Sequence, residues 1–325
     1  MQANRACKSI IVMQYLPFLN GKYSTAPGLT AMDKAVHQED KLIFQIDAYY
    51  QHYIHNKRAC RKENIHKYYC EEEFLPETIL NINYFIVNRL LQEYPSVFSL
   101  QEDGHHYTLI NHHSNEQLCW NKDWVHVEGE NYISLFDALC CQVQEDLAVC
   151  QLSDDKDWMS AIHLCAPNHW SAADKVGKSF DAVHAPVPGM EKTLDNYYRM
   201  LQAVVQKGPF TRFAWGISTD DRLNHHPVPP PGANAEEWYG RKPGDTEKIF
   251  IRTERQNLIG FPDANAFLFT IRTYFYDISS LSYADKNALF DAVAGMSPAS
   301  LAYKGLTGRL GKLKKLLLTD MDMNR

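Results

Sequence analysis

The spacing of apolar residues predicts three helices in the first half of the chain. They cover residues 33–63, 75–94 and 134–151. The first has a charged, tyrosine-rich surface, and the other two repeat apolar side chains every three or four residues. The third is the clearest, because Ser134 can cap its first turn and Asp137 follows at the third position after the cap. Its apolar stripe would consist of Phe136, Leu139, Cys140, Val143, Leu147 and Cys150.

Strand patterns follow and dominate the second half. Tyr107–Ile110 and Trp124–Val127 are short strand candidates flanked by polar turns, as in a hairpin. Helices are expected near residues 191–206 and 283–294. The stretches rich in β-branched and aromatic residues are Trp158–Cys165, Arg212–Ser218, Lys248–Gln256 and Asn265–Tyr276.

This order of elements predicts an α+β fold, a mainly antiparallel sheet with flanking helices and an N-terminal helical extension. We expect a single domain over residues 15–307. Residues 1–14 would be a disordered or upstream extension, and residues 308–325 a basic tail. Within that tail, Arg309–Lys315 is interpreted as a solvated helix end.

Composition excludes several classes of function. The chain has 325 residues, a net charge of −6 and no long basic block, which argues against a nucleic-acid-binding surface. No apolar run approaches about 18 residues, so no membrane-spanning helix is expected. Its eight cysteines form no C-x-x-C pair, which excludes the common zinc-ribbon, ferredoxin and c-type haem spacings. They are interpreted as reduced core cysteines of a cytoplasmic protein.

The segment Cys165–Gly189 is the first candidate for chemistry. Its three prolines, above all Pro186 and Pro188, predict a stiff, extended and non-helical run from Val183 onward. A histidine on such a segment, His184, would lose little entropy on binding a metal or a cofactor iron. The alternative is a structural histidine in a loop.

A second candidate is the strand that carries Arg252, Glu254 and Gln256 on one face. Charge on a central strand is costly unless it is paired or bound to a ligand. Arg252, together with Arg272 on the next strand, could receive the carboxylates of a ligand. The alternative is a structural ion pair, either Arg252 with Glu254 or one that involves Arg255.

Other motifs are weaker. The pairs His105-His106 and His112-His113 lie around the predicted hairpin, but adjacent strand residues face opposite ways, which disfavours a metal site. His225-His226 is interpreted as loop surface. No G-x-S-x-G, Walker A or dinucleotide G-x-G-x-x-G motif is present, so the sequence shows no means of drawing electrons from a nicotinamide.

Several separate blocks nevertheless resemble one family, that of the α-subunit of haem-dependent oxidative N-demethylase. The resemblance covers roughly residues 15–307. The blocks are Ala26–Leu29, Asn56–Arg58, Gln144–Asp146, Trp170–Gly177, Val183–Gly189, Arg252–Leu258, Phe269–Tyr274 and Ala302–Leu306.

The resemblance implies a PAS-like fold whose antiparallel sheet cups a non-covalent haem b. It also implies oxidation by O₂ of a small secondary amine such as dimethylamine. Electrons would come from NADPH through separate flavin (FMN) and iron–sulfur (2Fe-2S) reductase subunits. The alternative is a PAS-like haem or small-ligand sensor without turnover, and a third reading is a relative that has lost haem. Assembly into a homo-oligomer is left open.

The resemblance also assigns residues. His184 matches the family's histidine and would be the proximal iron ligand. Glu254 and Gln256 would polarise the distal side. Two departures bear on specificity: Ala214 stands where an asparagine is expected, and His169 precedes Trp170. The expected contacts to the haem propionates, or to the pocket structure, are Lys175, Arg252, Arg255 and Arg272.

Overall fold

The computed structural model describes residues 14–129, 131–239 and 248–318. The extension expected at residues 1–14 lies, except for its last residue, outside this part of the chain. Nothing in the described helices is both long and apolar enough to cross a membrane.

Seven strands of the described residues form one antiparallel sheet, in the order β1-β8-β9-β10-β6-β7-β2. A separate three-stranded sheet has the order β3-β4-β5. This arrangement confirms the α+β prediction. The strands are β1 (Thr30–Ala31), β2 (Tyr69–Glu71), β3 (Phe98–Asp103), β4 (His106–Asn111), β5 (Glu116–Asn121), β6 (Asp146–Leu152), β7 (Asp157–His163), β8 (Phe210–Ser218), β9 (Phe250–Phe261) and β10 (Ala266–Asp277).

The helices lie before, between and after these strands. Those expected at residues 75–94 and 283–294 are confirmed, and the one expected at 191–206 is split in two. The helices are α1 (Tyr50–Tyr68), α2 (Pro76–Glu93), α3 (Leu135–Cys140), α4 (Phe180–His184), α5 (Glu191–Leu194), α6 (Tyr197–Lys207), α7 (Ala235–Trp238), α8 (Tyr283–Ala294), α9 (Pro298–Tyr303) and α10 (Leu310–Leu318).

Three predicted elements of the first half are wrong in extent or type. The helix predicted at 33–63 begins only at Tyr50, after two short 3₁₀ turns. The clearest predicted helix, 134–151, ends at Cys140, and the chain turns to enter strand β6. Every residue of β6 is buried, so its continuous apolar run has no alternation that would distinguish it from a helix. The third strand of the small sheet is β5, whereas Trp124–Val127 contributes one isolated bridge.

The basic tail is also not solvated throughout. Leu313 and Leu317 of α10 are buried and pack with Leu289 and Val293 of α8. The lysines of α10 lie between the residues of this apolar stripe in the sequence, so this basic segment is an amphipathic helix.

The hairpin of β9 and β10 positions the candidate site. Asn265 links its strands with a φ of 45°, a left-handed conformation that asparagine tolerates better than most residues. The register pairs Thr273 with Glu254 and Arg272 with Arg255. Because paired residues point to the same side of a sheet, Glu254 and Arg255 belong to opposite faces.

Candidate functional site

One face of β9 carries the predicted polar set. Arg252, Glu254 and Gln256 lie on it, as their alternation predicts, and Arg212 of β8 pairs with Gln256. We call these four residues, together with Lys175, His184 and Lys304 from other segments, the polar face.

Glu254 is the centre of the polar face. Its Oε1 accepts a hydrogen bond from Arg252 Nη1 and its Oε2 accepts one from Gln256 Nε2 at 2.7 Å. Burial by itself would raise the pKa of Glu254, but the ion pair with Arg252 outweighs it and lowers that pKa. Glu254 is therefore a carboxylate at neutral pH, and the structural ion pair considered from the sequence is present.

Arg252 ties this strand to the segment that follows β7. Its Nη2 donates to the carbonyl of Ala166 at 2.8 Å and to Thr273 Oγ1 at 3.1 Å. The side chain is only 3% exposed, so these bonds and the one to Glu254 satisfy both terminal nitrogens of a buried cation, whereas Nε has no hydrogen-bond partner among the described residues. Arg252 thus anchors the start of the candidate segment Cys165–Gly189.

Arg255 and Arg272 do not join the polar face. Arg255 Nη2 donates to the carbonyls of Asp40 and Leu42, both at 2.8 Å. Arg272 Nη2 donates to Asp47 at 2.8 Å, and its guanidinium lies 3.8 Å from the centre of the Tyr53 ring. The expectation that Arg252 and Arg272 bind one ligand is therefore wrong, because the hairpin register puts them on opposite faces.

Lys175 reaches the polar face from the segment after β7. Its Nζ lies 4.1 Å from the centre of the Trp170 ring. Burial lowers its pKa, and the nearby charge of Glu254 opposes that shift. The side chain stays half-buried.

His184 lies on a helix, which corrects the prediction of an extended run. Phe180–His184 forms one helical turn, and Ala185 continues with helical φ and ψ of −50° and −36° although Pro186 follows. Proline has no amide hydrogen, so it ends this helix rather than preventing the turn before it. The steric preference against helix just before a proline is outweighed here by the hydrogen bonds of the turn.

The helical turn fixes the imidazole. His184 Nδ1 lies 2.8 Å from the carbonyl oxygen of Phe180, which can only accept, so Nδ1 carries the hydrogen. The ring also stacks on the Phe180 ring, with centroids 4.0 Å apart and planes at 27°. Burial, with Lys175 and Arg212 adding to it, lowers the pKa of His184 to about 4. The imidazole is therefore neutral, and among the described residues Nε2 has no hydrogen-bond partner.

Two cations of the polar face were missed from the sequence. Arg212 Nε is buried without a hydrogen-bond partner, and burial lowers the pKa of the guanidinium. Lys304 Nζ donates to the carbonyl of Trp215 at 3.0 Å, and burial lowers its pKa while Glu254 opposes the shift. In the described parts of the chain, no carboxylate forms an ion pair with Lys175, Arg212 or Lys304. Lys304 could have been found from the block Ala302–Leu306, and Arg212 from its alternation with Ala214 and Gly216.

The remaining histidine pairs have local roles. His106 Nε2 lies 3.2 Å from a carboxylate oxygen of Glu128, and His112 Nε2 is hydrogen-bonded to Ser99 Oγ at 3.0 Å. The two rings therefore have different partners. His225 and His226 are buried, not on the loop surface as predicted. The chain after β8 folds back, so that His225 donates to Asp220 at 2.9 Å and Trp238 Nε1 donates to the carbonyl of His226 at 2.7 Å.

A second titratable cluster surrounds the fully buried His163 at the end of β7. Asp137 Oδ1 lies 3.2 Å from its Nε2, and the sulfurs of Cys141 and Cys165 lie 3.8 and 3.9 Å from its two nitrogens. Potential ligand atoms this close together could bind a metal ion. However, Arg61 already pairs with Asp137 and Lys57 lies 3.9 Å from Asp146, so ion pairs satisfy the carboxylates.

His163 is charged in this cluster. Burial would lower its pKa, but the neighbouring Cys165 sulfur and the Asp137 carboxylate raise it to about 9. Burial raises the pKa of the Cys165 thiol itself, which leaves Asp137 as the anion. The groups next to His163 are Lys57, Tyr69, Asp137, Cys141, Asp146 and Cys165. Behind these partners lie Cys60, Arg61 and Cys140.

We therefore expect a loss of stability in mild alkali. A histidine whose pKa is raised by folding contributes stability, which is fully present below the pKa of the unfolded chain, about 6.5. That stability is lost as the pH rises through the folded pKa of about 9. The free energy of unfolding should fall by about 3 kcal/mol across this window. Urea titrations at several pH values measure it. The variant His163→Gln should show a flatter profile, and an equally steep one would contradict the assignment.

The sequence matches one known protein family over most of its length. The family is described as haem-dependent oxidative N-demethylase, alpha subunit-like, and the match covers residues 35–312. This range includes β2–β10 and every residue of the polar face.

Proposed function

We propose a haem-dependent oxidation for this chain, because it belongs to the haem-dependent oxidative N-demethylase, alpha subunit-like family. The proposed substrate is a small secondary amine such as dimethylamine, which would lose one methyl group as formaldehyde. O₂, two electrons and two protons would be consumed, with the primary amine and water as the other products. One observation supports the proposal most strongly. His184 is neutral and its Nε2 has no hydrogen-bond partner among the described residues, and the nearby cations Lys175 and Arg212 form no ion pair with a described carboxylate.

The residues of the polar face fit a haem. An iron-binding histidine normally donates its other ring N–H to a carbonyl or carboxylate, as His184 does to Phe180. Haem also brings two propionate carboxylates, and Lys175 and Arg212 are half-buried cations without a carboxylate partner. His184 would hold the iron through Nε2, and Lys175 and Arg212 would hold the propionates. Arg252 is already paired with Glu254, so we assign it to pocket structure.

When bound, haem would supply the activation of O₂ and the oxidation of the methyl group. The protein's own contribution would come from Glu254. Its carboxylate is held by Arg252 and Gln256, so it could accept an N–H of the amine and take up its proton. Gln256 would fix the orientation of that carboxylate. We also propose that the sheet is PAS-like and that separate FMN and 2Fe-2S reductase subunits pass electrons from NADPH.

One observation favours a second function, ligand binding without turnover. Ala214 pairs with Glu254 in the register of β8 and β9, where relatives are expected to have asparagine. Without that amide, the polar face loses one donor beside the carboxylate. A haem or small-ligand sensor would tolerate this loss better than an enzyme that must orient an amine.

Spectroscopy and turnover separate these functions. The purified chain supplied with haem should develop an intense Soret band that shifts with CO after chemical reduction. Formaldehyde release from dimethylamine, with reductant and O₂, would then identify the enzyme. A Soret band without formaldehyde would favour the haem sensor. A colourless protein would overturn the proposed oxidation and favour a relative that has lost haem and binds another ligand.

We expect Glu254→Gln to keep haem binding and to lower formaldehyde formation about a hundredfold, because the amide cannot take up a proton. The amide oxygen can still accept from Arg252, so the pocket should persist. Glu191→Gln, at an exposed carboxylate, is the control. Unchanged turnover in Glu254→Gln would exclude the proposed proton acceptor.

A further inference from the structure

A buried carboxylate accepts a hydrogen bond from the first residue of the helical turn that carries His184. Asp157, the first residue of β7, is 3% exposed, and its Oδ2 accepts a hydrogen bond from the backbone N–H of Phe180 at 2.6 Å. The carbonyl of the same residue accepts from His184 Nδ1 at 2.8 Å. A continuous path therefore runs from carboxylate through one residue's backbone to imidazole.

The Phe180 side chain belongs to the same assembly. Its ring stacks on His184, with centroids 4.0 Å apart, and on Tyr197, with centroids 5.7 Å apart and planes at 12°. Both the backbone and the ring of Phe180 thus contact His184 directly. Whatever fixes Phe180 also fixes the direction in which His184 Nε2 points.

The position of Asp157 is costly for the fold. Its Oδ1 is buried without a hydrogen bond of ordinary length among the described residues, although the Tyr197 hydroxyl is near enough to lower the pKa of this carboxyl. An incompletely satisfied carboxylate in the interior lowers stability. The short helix α4 does not use its own N-cap residue, because Ser179 makes no side-chain cap hydrogen bond. Asp157 takes over that role from a strand 23 residues earlier.

We propose that Asp157 is a positioning residue for His184, which it orients through Phe180. The inference rests on the proposed function, in which His184 holds the haem iron. The carboxylate fixes the Phe180 backbone, and its charge polarises the N–H that it binds. The Phe180 carbonyl then holds the hydrogen on Nδ1 and leaves Nε2 free. It also makes the imidazole a stronger donor to iron, which favours the ferric state.

The test uses the full chain and three variants. Asp157→Ala removes the acceptor, and Asp157→Asn keeps an acceptor oxygen without the charge. Asp154→Ala is a matched control at an exposed aspartate in the turn that precedes β7. Haem affinity is measured from Soret titrations, and the iron reduction potential by spectroelectrochemistry. We expect Asp157→Ala to bind haem about tenfold more weakly and to shift the potential upward. Asp157→Asn should recover most of the affinity, and Asp154→Ala should match the parent chain.

A haem-free measurement makes the inference independent of haem binding. Nitrogen-15 NMR of the apo chain reports which ring nitrogen of His184 carries the hydrogen. The parent chain and Asp157→Asn should show it on Nδ1, and Asp157→Ala should show a mixture of tautomers. If the parent chain binds no haem, the proposed function fails while this tautomer comparison still decides the inference. Identical tautomers and haem affinities in all variants would overturn the positioning role of Asp157. If Asp157→Ala does not fold, the reduction potential of Asp157→Asn alone tests the effect of the charge.

Discussion

Replacing His184 by alanine is expected to abolish the Soret band that we expect of the parent chain with haem. The imidazole is a neutral nitrogen ligand beside Lys175 and Arg212. Its Nδ1 donates to Phe180, and its Nε2 has no hydrogen-bond partner among the described residues. Its removal leaves the cations to bind propionates, but it leaves the iron without a protein ligand. The chain should then bind haem weakly and without the defined spectrum of an axial histidine.

The fold should survive this substitution. His184 is half-buried on a single helical turn, and alanine is compatible with helical backbone. We expect the free energy of unfolding to change by about 1 kcal/mol, the value of one hydrogen bond. A Soret titration of apo protein, repeated with CO after reduction, is the measurement, and circular dichroism confirms the fold.

His169→Ala provides the matched control. His169 belongs to the same segment, but its side chain is exposed and its ring lies against His225, with centroids 5.4 Å apart. Its spectrum should equal that of the parent chain. An unchanged Soret band in His184→Ala would remove His184 as the iron ligand, and a lost band in His169→Ala would transfer that role.

Replacing Lys57 by methionine is expected to lower the free energy of unfolding by about 3–5 kcal/mol. Lys57 is 2% exposed, and its Nζ donates to the carbonyls of Cys140 and Glu145. Asp146 lies 3.9 Å from the same nitrogen. Methionine fills a similar volume but leaves a buried carboxylate and two buried carbonyls without their cation.

This loss should extend to the polar face. Asp146 accepts the backbone N–H groups of Cys165 and Ala166 at 2.9 and 2.7 Å, and the carbonyl of Ala166 accepts from Arg252. Lys57 therefore supports, through Asp146, the beginning of the segment that carries Lys175 and His184. Haem affinity should fall together with stability.

Urea unfolding measured against Lys62→Met tests this expectation. Lys62 lies on the same helix with an exposed side chain, and its replacement should change stability by less than about 0.5 kcal/mol. A Lys57→Met variant as stable as Lys62→Met would show that the buried charges are satisfied in another way.

The candidate site was only partly accessible from the sequence. Alternation in β9 placed Arg252, Glu254 and Gln256 on one face, because side chains of a strand must alternate whatever its neighbours are. Family resemblance selected His184 from the histidines of its segment. Arg212 and Lys304 were missed because their approach to Glu254 depends on how β8 and the end of α9 pack. Alternation in β8 and the block Ala302–Leu306 mark their positions in the sequence but not that approach.

The sequence by itself determined the α+β class, the long helix α2, the strands of the second half and the polar side of β9, because these depend on local periodicity. The tertiary structure decided the rest. Burial on both faces made β6 a strand where its apolar run favoured a helix, and the hairpin register turned Arg255 and Arg272 away from the polar face. A carboxylate from a distant strand, Asp157, binds the first amide of the turn that carries His184. Such contacts join residues far apart in the chain, so they follow from packing and not from the order of neighbouring residues.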